Sequence, residues 1–431
     1  MAACGGAGAD ASDPTDPTTV SADPAITDPV KAAADAIATG TAAPPTTLPA
    51  PPTMPAATAP VQPKAPAPSH PPMVDGTLPP FAPTSVPAVA APLPAGSGFA
   101  DFDASLRQSL LGHGAMAASV AVAKDGRLVH VQAYGAADPF TGEPVRLSST
   151  FRIASISKTI TAIAVMRLAE QGVLSIDSPV LGALAASLGT PIGDPRMESV
   201  TVRHLLGHTS GFPEYERTFF GGLVDDCTAA GIRGLSRRLA TEPGSTYNYA
   251  NMNFCLLGLL VEQVTGRPYA DVVDELVLRP LGINDMRMAG TFDFQDGDVL
   301  HPTTPTRKFM EALGAAGAWV GTPVDLVTIV DALDPAKPGP KLLTPASALQ
   351  MHARPPVAFT KPDVWYGLGL IEWDNGTAWG HTGTLENARS MVVHRADGIT
   401  WAVTVNGNYP AQADRIRGMV DKALGTVRWD G

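Results

Sequence analysis

The sequence contains no run of about 18 or more uninterrupted apolar residues, so no hydrophobic membrane-spanning helix is expected. It also lacks any cluster of lysine and arginine. With 30 basic residues against 41 acidic ones, the net charge is -11, which argues against nucleic acid as a partner. Aromatic and large aliphatic side chains are nearly missing before residue 97. That region holds 22 of the 42 prolines, in runs such as "AAPPTTLPAPPTMPAATAP". Such a segment cannot bury enough apolar surface to offset its chain entropy, so residues 1–97 are expected to form a disordered, partly polyproline-like linker. Residues 98–431 have globular composition and are long enough for a large core.

Cysteine is scarce, with only Cys4, Cys227 and Cys255. In "MAACGG", Cys4 follows two small residues and precedes two glycines at the head of the tether. This resembles the end of a bacterial lipoprotein signal, although the charged and apolar parts of a signal peptide are missing. The expectation is an exported chain, secreted or held at the cell envelope by lipid on Cys4, with no other membrane contact. An arbitrary cysteine in a tail is the alternative. In an exported protein, Cys227 and Cys255 are a candidate disulfide; otherwise they are two buried thiols.

Within the globular part, "FADFDASLRQSLLGH" has the pattern of an amphipathic helix. "MAASVAVAKDGRLVHVQAYGAAD" follows as two strands turning at Asp125-Gly126. A helix runs from Ser155 to a stop at Gly172 and is apolar nearly all round, so it belongs inside a domain. Residues 176–345 are mostly short helices and Pro/Gly-rich loops. Strands return in "VWYGLGLIEWD", "TAWGHTGT", "SMVVHRADG" and "ITWAVTVNG", with a hairpin turn at Asp397-Gly398, and "AQADRIRGMVDKALG" closes the chain as a helix. Strands at both ends with helices between them predict an α+β fold: an antiparallel sheet flanked by helices, with a mostly helical subdomain inserted over 176–345.

Three short patterns carry chemistry. Ser155 and Lys158, at i and i+3, share one helix face. The helix N-terminus around Ser155 favours negative charge, and burial lowers a lysine's pKa until it can accept the serine proton. Read alone, the pair is equally a capping serine and a snorkelling lysine. Tyr249 and Asn251 form Y-x-N before an apolar helix, where tyrosine suits proton relay and asparagine offers a donor and an acceptor to an amide. His381, Thr382, Gly383 and Thr384 end a strand. The glycine allows close approach, and the Thr384 N–H complements that of Ser155 as an oxyanion hole. "HLLGH" places His204 and His208 at i, i+4 without the glutamate of a zinc helix, "GHTSG" is not G-x-S-x-G, and no phosphate-cradling glycine loop is present. No cofactor or metal is expected.

Taken together, S-x-x-K, Y-x-N and H-T-G, separated by 94 residues (155 to 249) and 132 residues (249 to 381), resemble the serine β-lactamase and penicillin-binding protein superfamily. The likeness is to the S12-type branch of class C β-lactamases, D-Ala-D-Ala carboxypeptidases and related esterases. "LSIDSPV", "VRHLLGHTSGF", "PGSTYNYANMNF" and "GAAGAWVGTPVDL" extend it over about residues 98–425. The resemblance implies an acyl-enzyme on Ser155, with Lys158 as base and Tyr249 facing the leaving group. It implies that Asn251 and the His381–Thr384 strand hold the substrate. The third motif begins with histidine where many β-lactamases of this branch have lysine, as in the carboxypeptidase members. The implied substrate is a small molecule or peptide, including cell-wall peptide or β-lactam. A β-lactamase proper and a non-catalytic cell-wall binding module remain the alternatives.

Overall fold

Asp125 and Gly126 close a tight hairpin between β1 (Ala117–Lys124) and β2 (Arg127–Gly135). In the computed structural model, which describes residues 98–305 and 307–429, this hairpin forms one edge of the main sheet. The linker expected over 1–97, and Cys4 with it, lie outside the described residues. The sheet has seven antiparallel strands in the order β2-β1-β10-β9-β8-β7-β6. The members not yet placed are β6 (Trp365–Tyr366), β7 (Ile371–Trp373), β8 (Ala378–Leu385), β9 (Ala388–Arg395) and β10 (Ile399–Asn406). The N-terminal and C-terminal strands meet along their whole length, from Ala117 opposite Asn406 to Lys124 opposite Ile399.

β10 is buried at every position because both faces of the sheet are covered, so its sequence is a near-continuous apolar run. On one face, Val120, Val122, Val393, Trp401 and Val405 pack against two helices. These are α1 (Ala100–Leu111), which buries Phe102, Leu106 and Leu110, and α5 (Arg415–Leu424), which buries Ile416, Val420 and Leu424. Each such side chain removed from water contributes roughly 1.5–3 kcal/mol. On the other face the strands present small residues, Ala121, Ala123 and Ala402, against which α4 (Pro323–Asp331) packs.

The same face carries the helical region. α2 (Ser157–Glu170) is buried at every position from Ser157 to Leu168, as its all-round apolar pattern requires. It packs on α3 (Asn251–Thr265), itself buried from Met252 to Val261. Cys227 and Cys255 are bonded to each other, with Cα atoms 5.7 Å apart, and tie the helix Cys227–Leu235 to α3. Among the described residues, no helix is long and apolar enough to cross a membrane.

Three features depart from the sequence reading. "VWYGLGLIEWD" is not one strand but a hairpin, β6 pairing with β7. Gly369 turns it with a φ of 80°, and any Cβ there would strike Ala162 on α2. A second sheet, β3 (Phe151–Arg152), β5 (Trp319–Gly321) and β4 (Arg287–Met288), was not expected. Its strands are too short to show any alternation. The helices also continue past 345, through Pro345–His352.

The Cys227–Cys255 bond closes a loop with a sequence separation of 28. Replacing both cysteines by serine should therefore lower unfolding free energy by about 3 kcal/mol, read by urea denaturation. An unchanged midpoint would remove the bond from the stability of the domain.

Candidate active site

Ser155 sits in a 3₁₀ turn, Ala154–Ile156, just ahead of α2 rather than in the α-helix itself. The preceding residue, Ala154, is left-handed with a φ of 51°, a conformation that costs a residue with a Cβ about 1–2 kcal/mol. The sheet holds it there. The Ser390 hydroxyl on β9 donates to the Ile153 carbonyl at 2.7 Å. On β8, Gly383 faces the turn so closely that a Cβ at this position would stand 3.0 Å from the Ala154 Cβ and collide with the Ile153 carbonyl and the Ser390 hydroxyl. Glycine in H-T-G is thus required by the approach of strand to turn.

Lys158, one turn further on, is fully buried and does not snorkel. Its Nζ lies 2.8 Å from Asn251 Oδ1, 2.8 Å from the Ala316 carbonyl and 3.1 Å from Ser155 Oγ. Burial alone pushes its pKa well below the ordinary lysine value. A neutral amine has two N–H bonds and one lone pair. The two oxygens that can only accept, on Asn251 and Ala316, take the N–H bonds, which leaves the lone pair for the Ser155 hydroxyl. Asn251 was expected to offer substrate both a donor and an acceptor; here its Oδ1 accepts from Lys158. Tyr249 is half-buried, with its ring 5.0 Å from Lys158 Nζ and 6.4 Å from the His381 ring.

His381 is buried in β8, and H-T-G-T fills the end of that strand as far as the residue before Leu385. Its Nδ1–H donates to the Thr382 carbonyl at 2.6 Å, and its Nε2 accepts from the Tyr366 hydroxyl at 3.0 Å. Burial first, and the repulsion that a protonated Lys158 would add second, push its pKa down to about 3, so the ring is neutral. Thr382 and Thr384, two residues apart, share one face of the strand. Opposite Thr384 stands Arg389, whose guanidinium donates to the carbonyls of Leu385, Ala388 and Pro410.

The two histidines of "HLLGH" separate. The helix Val202–Leu206 ends before His208, and His204 caps its start through Thr201. His208 lies beneath Tyr249 with ring centroids 4.3 Å apart. The Ala316 carbonyl, Ser390 and His208 were not assigned from sequence. The first is a backbone atom without a residue signature, and the other two read as a strand serine and a loop histidine.

Residues 102–425 match the Beta-lactamase family, and the chain belongs to it. Esterase EstB of Burkholderia gladioli is 36% identical over 197 residues, 43% of this chain and 49% of the esterase. Penicillin-binding protein 4 of Amycolatopsis lactamdurans is 28% identical over 319 residues, 68% of this chain and 82% of that protein. The chain spans about half the length of EstB and 37% of the Bacillus subtilis relative, Penicillin-binding protein 4*. Among solved structures, the octameric penicillin-binding protein homologue from Pyrococcus abyssi aligns with a TM-score of 0.64 at 23% identity, covering 75% of this chain and 76% of that one. The D-amino acid amidase of Ochrobactrum anthropi SV3 aligns at 0.62 and 24%, covering 76% and 100%. These likenesses agree with the α+β architecture described above.

Gly383→Ala is expected to displace the Ser155 turn and lower the rate of acylation by a small nitrophenyl ester by about 10²-fold, with far-UV circular dichroism unchanged. A wild-type rate would show that the approach of β8 to the turn is not needed.

Proposed function

We propose that this protein is a serine hydrolase that moves an acyl group from an ester or uncharged amide to Ser155 and then to water. The observation that carries this reading is the hydrogen-bond pattern of Lys158: Asn251 and the Ala316 carbonyl take two N–H bonds, so that the amine, once neutral, has its lone pair for the Ser155 hydroxyl. As Ser155 Oγ bonds to the substrate carbonyl carbon, its proton passes to Lys158 Nζ and the carbonyl π-electrons move to oxygen. The N–H groups of Ser155 and Thr384 receive that oxyanion. Collapse of the adduct breaks the bond to the leaving group, which takes a proton by way of Tyr249. Water then attacks the acyl-serine by the same steps in reverse.

The preference for an uncharged substrate rests on the β8 strand. Its histidine is neutral, and the arginine opposite Thr384 is directed to backbone carbonyls. Neither supplies a cation to a carboxylate, the group that a β-lactam and a D-Ala-D-Ala terminus both carry. The name of the relative EstB supports an ester. The second reading, a D-Ala-D-Ala carboxypeptidase, is favoured by the two threonine hydroxyls on one face of β8, which suit a carboxylate held without a cation.

Incubation with a short nitrophenyl ester should add one acyl group to the wild-type mass and none to Ser155→Ala; an adduct that survives this change refutes the nucleophile. Release of D-Ala from a D-Ala-D-Ala peptide faster than hydrolysis of the ester would select the second reading. Lys158→Ala should lower kcat/KM by about 10²–10⁴-fold. In the wild type, kcat/KM should stay level through the range where an ordinary lysine loses its proton and fall only on acidification, as Lys158 becomes charged. A rise with pH near the ordinary lysine value of 10.5 would mean that Lys158 is protonated at rest.

A further inference from the structure

His208 is fully buried and, like Ala154, left-handed, with a φ of 55°. This is an unfavourable conformation for a residue with a Cβ, and it persists only where the surroundings enforce it. Here they are bonds to the segment that carries Y-x-N. The His208 carbonyl accepts from the Asn248 N–H at 2.8 Å. Its ring Nδ1 accepts from the Ala250 N–H at 3.2 Å, and Ala250 is the residue between Tyr249 and Asn251. The same Nδ1 accepts from the Asn253 side-chain amide at 2.9 Å, and the Ser210 hydroxyl fixes that amide by donating to its Oδ1 at 2.5 Å.

We propose that His208 is the positioning residue of the site: its ring Nδ1, by accepting from Ala250 and Asn253, sets the backbone from which Tyr249 reaches the leaving group. The ring also lies against Tyr249 at 4.3 Å, with Phe254 at 5.2 Å and Tyr366 at 4.6 Å completing its enclosure. Two donors converging on Nδ1 require the tautomer with hydrogen on Nε2, and that atom is buried without a partner. Protonation would put a hydrogen on Nδ1 and oppose both donors. The groups around the ring resist it: burial first, then the repulsion that a proton on Lys158 or His381 would add, hold its pKa well below the ordinary histidine value.

The proposal rests on Tyr249 being the acid for the leaving group, so its test separates the two. A nitrophenyl ester has a leaving group that needs no proton, whereas an ethyl ester of the same acid needs one. Tyr249→Phe should depress kcat on the ethyl ester by about 10²-fold and on the nitrophenyl ester only several-fold. Equal effects would refute the role of Tyr249 itself. Given that selectivity, His208→Phe, which fills the space but cannot accept, should reproduce it with little change in KM, counted per active site by the nitrophenolate burst. His208→Asn tolerates the left-handed backbone and places an acceptor at the Nδ1 position, so it should recover most of the loss. His208→Gln carries its acceptor one carbon further out and should not. The Tyr249→Phe, His208→Phe double variant should be no slower than Tyr249→Phe alone. Losses that multiply, or a His208→Phe defect equal on both esters, would overturn the positioning role. If His208→Phe does not fold, the Asn and Gln variants decide: equal behaviour on the ethyl ester overturns it as well.

Discussion

Everything in the site is arranged around an amine that has no exposed surface. Keeping Lys158 charged there would cost several kcal/mol in lost hydration, and burial accordingly pushes its pKa well below the ordinary lysine value. One N–H bond goes to the side chain that opens α3. The other goes to a backbone carbonyl, Ala316, that must be placed within a few tenths of an ångström. That segment is fixed by further buried polar contacts: Thr161 on α2 donates to the Ala315 carbonyl at 2.8 Å and meets the Tyr269 hydroxyl at 2.7 Å, and Trp319 donates to the same hydroxyl at 3.1 Å. The helix packing of α2 on α3 and the 315–319 segment therefore share one constraint. Each is needed to leave the lysine lone pair facing the serine.

The second constraint comes from the sheet. A left-handed alanine ahead of Ser155 relaxes unless something prevents it, and β8 and β9 do so from opposite atoms, one through the bare Cα of Gly383 and the other through the Ser390 hydroxyl. Gly383 and Ser390 are direct cross-strand partners. A single register thus serves both contacts, and a slip by one residue would send them to the other face. The register is set by β9, since β7 pairs only with Ala378–Gly380 and leaves the 381–385 half of β8 with one strand partner among the described residues.

Much of this was legible in the sequence, and what was not has a common cause. A helix apolar on all sides with a lysine one turn from a serine raised a buried amine beside the alternative of a snorkelling one, and the turn dipeptides at 125 and 397 marked two of the hairpins. The three motifs named the side chains because side-chain identity is what a sequence records. It does not record which backbone oxygen will meet a lysine, so Ala316 was invisible. Nor does a two-residue strand such as Phe151–Arg152 show a period, so the small sheet was missed. The break at Gly367–Leu370 was hidden for another reason: the glycines were visible, but the helix surface that demands a turn there belongs to a segment two hundred residues away in sequence.

Three basic side chains, Lys158, His208 and His381, are buried in the site, and burial is the first cause that lowers the pKa of each. The result is a site rich in nitrogen yet poor in positive charge. Stabilisation of a developing oxyanion then falls to oriented N–H dipoles, which are already in place and need no reorganisation when charge appears. A fixed cation would do the same work, but it would also bind an anionic substrate in its ground state and so raise affinity without raising the rate. A neutral site gives up that ground-state binding. It gains selectivity for acyl groups whose only negative charge is the one formed during the reaction, and that physical property is what links the buried lysine to the substrate class proposed for Ser155.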